Sequence, residues 1–125
     1  MGDWSYKPWG NDEAADWFHV FWRSKDFTLL FDEIEKFDPR AERYDCVRAA
    51  GYLLQTLGII FVWPAEHDDR LRPLLRATIS ILRRMIDPPD ADWGFLDMWG
   101  DAPGVVAEVE AQIAALEARL ADLKG

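Results

Sequence analysis

The chain has 125 residues, half of them hydrophobic, with seven tryptophans, one cysteine and a formal net charge of −9. That length fits a single domain of the usual ~100–150 residues, and a chain this apolar and Trp-rich is not a disordered one. One cysteine excludes an intrachain disulfide and any cysteine-rich zinc module, and the excess of acid argues against general affinity for nucleic acid, which is held by basic side chains.

Residues 1–10 hold Trp4, Tyr6 and Trp9 among glycine and proline. This segment reads as a non-helical aromatic arm laid across the domain. Asn11 or Asp12 caps a first helix, with Asp12, Glu13 and Asp16 near its positive end. Trp17, Phe18, Val20, Phe21 and Trp22 make that helix apolar on more than one stripe, which predicts a central position. It runs to about Ser24.

Asp26 caps a second helix whose face is Phe27, Leu30, Phe31, Ile34 and Phe37, and Asp38-Pro39 ends it. A third helix is predicted from about Ala41 to Leu57, with Tyr44, Val47, Gly51, Leu54 and Leu57 inward and Gly58 as its stop. Ile59–Trp63 reads as a packed extended linker, because a lone strand would lack a partner. A fourth helix carries Leu71, Leu74, Leu75, Ile79, Leu82, Met85 and Ile86. Asp68 and Asp69 offer a start, but Pro73 belongs in a first turn, which moves the expected start to about Arg72. Asp87-Pro88-Pro89 closes it.

Residues 90–103 form an acidic, aromatic loop with one helical turn expected around Leu96–Trp99. The last helix runs from about Gly104 to Lys124. Its apolar residues Val106, Val109, Ile113, Leu116, Leu120 and Leu123 alternate at three and four, an a/d pattern. Two uses compete for that stripe: packing on the chain's own bundle, or a homodimer seam through Val106–Leu123. The expected fold is therefore all-α. It is a compact bundle of four to five helices in a single domain, 1–125, with an aromatic arm and a long C-terminal helix at 104–124.

No basic segment followed by an apolar run opens the chain. The longest uncharged stretch, Ala49–Ala65, has 17 residues, short of the ~20 a spanning helix needs. A cytoplasmic protein with no membrane partner is the expectation.

Chemistry-bearing patterns are sparse. No nucleophile elbow, Gly-rich phosphate loop or paired acid and base stands out. Cys46 is not linked in sequence to His19 or His67, so it reads as a buried structural thiol. Asp16 and His19 share one helical face, as in di-metal carboxylate bundles, but the second such pair is missing. Asp12, Asp16 and His19 beside Trp4 and Trp17 remain an alternative: a small metal-dependent enzyme of unknown substrate. No catalytic residue, cofactor or metal ligand is assigned.

Charge layout says more. Residues 68–86 carry five arginines and two aspartates, whereas 87–110 carry seven acids and no base. Within the acidic run lie Trp93, Phe95, Leu96, Met98 and Trp99. Aromatic anchors amid charge of one sign form a protein-binding surface, with Asp92, Trp93, Phe95, Asp97, Trp99 and Asp101 as contacts. The competing assignment is intramolecular, with the rings capping the core and the acids facing the arginine helix or water.

The opening Met1-Gly2-Asp3-Trp4, followed by Gly10-Asn11-Asp12-Glu13-Ala14-Ala15-Asp16-Trp17, resembles the start of a family of small bacterial proteins known as domain of unknown function 4259. Gly2, Trp4, Asn11, Asp12, Ala14, Asp16 and Trp17 match its motif. Cys46–Leu57 resembles the family's Ala-rich middle helix. Trp93–Leu120, with Leu116-Glu117-Ala118-Arg119-Leu120, resembles its Trp-containing loop and final helix. The departures are a bulky Tyr6-Lys7-Pro8-Trp9, Gly51-Tyr52 where the family prefers alanine, and an unusually apolar Ile59–Trp63. The family has no established activity, so the resemblance implies no catalytic residue. Its members are similar in size and acidity to immunity proteins of bacterial toxin systems. By that analogy the expected function is non-catalytic: neutralising a basic, toxin-like protein through the acidic-aromatic surface.

Overall fold

A computed structural model describes residues 5–59 and 62–123. Among the described residues six α-helices follow one another: α1 (Asp12–Ser24), α2 (Phe27–Glu35), α3 (Tyr44–Leu57), α4 (Asp68–Ile86), α5 (Phe95–Met98) and α6 (Pro103–Asp122). The fold is all-α, with no strand among the described residues. Gly2 and Trp4 of the opening motif, Ile60 and Phe61 of the linker, and the Lys124 end of the last helix lie outside the described residues.

Local chemistry sets several helix ends. Asn11 Oδ1 accepts the Ala14 N–H at 2.8 Å, and Asp26 Oδ1 accepts the Thr28 N–H at 2.9 Å, each satisfying a donor that has no partner within its helix. Lys25 closes α1 in a left-handed conformation, its N–H reaching the Phe21 carbonyl at 2.7 Å. Gly58 caps α3.

Two boundaries differ from expectation. α3 begins at Tyr44, not Ala41, because a separate 3-10 turn occupies Pro39–Ala41 and Glu42 then turns left-handed (φ 57°). α4 begins at Asp68, with Pro73 inside it. The missing Pro73 N–H would have met the Asp69 carbonyl, and both residues are exposed, so water can replace that bond.

The central helix is α3, which packs on α1, α2, α4 and α6; α4 and α6 share the most extensive interface. This corrects the placement of α1, which buries only Ala14, Trp17 and Phe21 and leaves Val20 and Trp22 exposed. Its hydrophobic circumference exceeds what its neighbours cover. Gly51 explains the close packing around α3: a Cβ there would lie 3.0 Å from both Gln112 Nε2 and Thr78 Cγ2. The α6 stripe faces its own chain. Val109, Ile113 and Leu116 are buried, and Val106, Leu120 and Leu123 pack partly buried against the same core. No helix among the described residues is long and apolar enough to cross a membrane.

Candidate protein-binding surface

The acidic loop is held to the body by its rings. Tyr44, fully buried at the start of α3, donates its hydroxyl proton to the Pro39 carbonyl at 2.5 Å and accepts the Gly94 N–H at 3.1 Å. Trp93 packs against the touching rings of Phe37 and Tyr44, with ring centroids 5.6 and 6.4 Å away. Phe95 packs on Tyr44 at 5.7 Å and is fully buried. It therefore belongs to the core and is corrected as a surface contact. Trp99 packs on Phe95 and donates its indole N–H to Asp45 Oδ1 at 3.3 Å. Trp93 and Trp99 are half-buried.

The carboxylates point the other way. Asp92, Asp97 and Asp101 are exposed. So are Asp87 and Asp90, and none of the five forms an ion pair with a described residue. The arginines of α4 do not neutralise them. Arg70 pairs with Glu35, Arg83 with Glu117, and Arg72 donates to the Leu123 carbonyl. Asp101 follows Gly100 in a left-handed turn (φ 55° and 62°), and its N–H closes back onto the Leu96 carbonyl at 2.8 Å.

The N-terminal arm extends this surface. The Tyr6 ring meets Trp99 edge-on at 5.8 Å and lies on Gly104, where a Cβ would come within 2.4 Å of the ring. Lys7 pairs with Glu108, and Trp9 packs on Tyr52 at 5.0 Å. Tyr6, Trp9 and Met98 stay exposed. The available apolar contacts beside the acids are thus Tyr6 and Met98 together with the half-buried Trp93 and Trp99.

Beneath the arm lies Arg48, a residue that sequence patterning does not single out. Its side chain is fully buried. Nη2 donates to the Tyr6 carbonyl at 2.8 Å and Nε to Gln112 Oε1 at 3.3 Å, while Nη1 has no partner among the described residues. Burial pulls its pKa down to about 10, since desolvation disfavours the charged form. The sequence signal is its place one turn after Tyr44 on a helix whose other charge, Asp45, is also buried.

The remaining motif residues have structural surroundings. Asn11 is a buried cap, and Trp17 is buried, stacking on Phe21 and donating its indole N–H to Glu33 Oε1 at 3.1 Å. Asp12, Asp16 and His19 are exposed on α1. Among the described residues no group of three or more His, Cys, Asp or Glu side chains is gathered to hold a metal. His67 packs against Phe27 and Phe31. Cys46 is buried, and that burial pushes its thiol up to about 11, which disfavours the nucleophilic thiolate. Comparison with protein-family models, characterised proteins and solved structures finds no match for this chain.

Proposed function

We propose that the chain is a non-catalytic protein-binding domain that recognises a basic partner, most concretely an immunity-type protein that neutralises a toxin. The observation that carries this reading is the row of exposed aspartates on residues 87–101, none paired with a described residue, on a loop whose rings pack it down. A carboxylate that forms no ion pair within its own chain keeps its charge free for a partner. Such a field speeds association with an oppositely charged surface and discriminates among partners. Tyr6, Met98 and the half-buried Trp93 and Trp99 supply apolar contacts beside it.

The test has two steps. A tagged chain is recovered from its native host and co-purifying proteins are identified by mass spectrometry; a stoichiometric basic protein is the expected result. Association is then compared with a triple variant, Asp92→Lys, Asp97→Lys and Asp101→Lys. Its association rate should fall by about tenfold or more at low salt, and the salt dependence should flatten. An unchanged rate and salt dependence would remove these residues from the interface.

A further inference from the structure

Between α4 and α6 lies an open cavity of about 290 Å³, walled by Arg76, Ser80, Arg83 and Arg84 of α4 and Glu117 of α6, with Ile79 and Leu120 as its apolar part. The four polar residues of α4 follow one another at spacings of four, three and one, which brings them to one face of the helix. Arg76 and Arg84 stand about 12 Å apart along its axis, with Ser80 midway.

The charge of this cavity is not balanced from within. Three guanidinium groups meet one carboxylate, a surplus of two positive charges in a chain whose net charge is −9. Glu117 holds Arg83. The guanidinium groups of Arg76 and Arg84 are exposed and enter no hydrogen bond or ion pair with a described residue, nor does the Ser80 hydroxyl. Arg83 and Arg84 lie in the last turn of α4, where cations complement the helix dipole. That effect fades within one turn and gives no account of Arg76.

Two unpaired guanidinium groups beside a hydroxyl call for an anion, and their number sets its charge. A phosphate monoester carries about −1.5 to −2 near neutral pH and matches both arginines; a carboxylate or a sulfate ester matches only one. Guanidinium forks also fit phosphate oxygens in pairs. Ile79 is buried and Leu120 half-buried, which leaves apolar surface beside the anion for a small organic group.

We infer that this cavity binds a small organic phosphate monoester. Arg76, Arg84 and the Ser80 hydroxyl donate to its phosphoryl oxygens, and its organic part lies on Ile79 and Leu120. The site shares no residue with the aspartates of residues 87–101, and the inference does not rest on the protein-binding reading.

The probe is phenyl phosphate, titrated into the full chain while the Ile79 and Leu120 methyl signals and the Arg76 and Arg84 Nε–H signals are followed by NMR. Saturable shifts of both sets at one ligand per chain are expected. Phenyl sulfate has the same shape and one charge, and should bind about tenfold more weakly, the scale of one charge-assisted contact. Nα-acetyl-phosphoserine methylamide carries the same phosphate on a piece of polypeptide; it should bind more weakly than phenyl phosphate, and the reverse order would overturn the small-ligand assignment. Arg76→Gln and Arg84→Gln should each weaken binding by about tenfold. Glu117→Gln should tighten it, because it releases Arg83 and removes a like charge, an effect that a merely solvated arginine face would not produce. Unmoved signals in both the unaltered chain and Glu117→Gln would overturn the inference. Equal binding of phenyl sulfate, or binding unaffected by both arginine variants, would do the same by showing an adventitious ion only.

Discussion

Arg48 and Gln112 bond to each other twice across the α3–α6 interface. Arg48 Nε donates to Gln112 Oε1 at 3.3 Å, and Gln112 Nε2 donates back to the Arg48 main-chain carbonyl at 2.8 Å. The same guanidinium holds the arm through the Tyr6 carbonyl. One buried cation thus joins three segments that are far apart in sequence, at the cost of an Nη1 with no partner among the described residues.

Truncating it should be expensive. Arg48→Ala leaves a void and removes the donors from Gln112 Oε1 and the Tyr6 carbonyl; a loss of about 3 kcal/mol is expected. The double variant Arg48→Met, Gln112→Leu replaces the polar pair by apolar volume and should recover much of that loss. Urea denaturation followed by tryptophan fluorescence checks both. A double variant no more stable than Arg48→Ala would contradict this account.

Cys46 should be chemically silent in the folded chain. Its folded-state pKa of about 11 lies above the ordinary 9.0, so the fold holds the thiol proton more tightly than the unfolded chain does. Stability therefore falls as pH rises from about 9 to about 11, and Cys46→Ala should flatten that part of the profile. Iodoacetamide labelling at pH 8 should proceed no faster than unfolding; rapid labelling of native protein would refute the burial argument.

Asp101 offers a way to separate charge from conformation. Its left-handed φ of 55° is strained for a residue with a Cβ and free of that strain for glycine. Asp101→Gly should therefore stabilise the chain by up to about 1 kcal/mol while slowing association with a basic partner. Thermal denaturation and stopped-flow association measure the two effects independently. A variant that is less stable, or one that associates faster, would fail the prediction.

Leu116 tests what the α6 stripe does. It is fully buried and faces Gly51 of α3, with Leu116 Cδ1 3.9 Å from the position a Cβ would take there. Leu116→Ala should cost about 2–5 kcal/mol, and Leu116→Asp should abolish the helical far-UV circular dichroism at 25 °C. A folded Leu116→Asp chain would show that the stripe is not part of the core.

Several features were legible from sequence because their causes are local. Asn11, Asp26 and Gly58 mark helix ends through bonds to residues two to four positions away. The spacing from Val106 to Leu123 puts those side chains on one face whatever lies opposite. The helical turn before Gly100 followed from a similarly short-range pattern.

Tertiary structure decided what periodicity cannot carry. A repeat says which residues share a face, but not how much of that face the rest of the chain covers. α1 was therefore expected at the centre, yet it leaves Trp22 in solvent. Residues 92–101 showed rings and acids together; only the packing of Phe95 on Tyr44 separates an inward set from an outward one. Arg48 was invisible as a buried charge because its partners, Tyr6 and Gln112, are 42 and 64 positions away in the chain. By itself the sequence determined the helices and the excess of acid. The fold determined which charges stay paired inside it and which face outward, because desolvation and ion pairing depend on neighbours that only folding brings together.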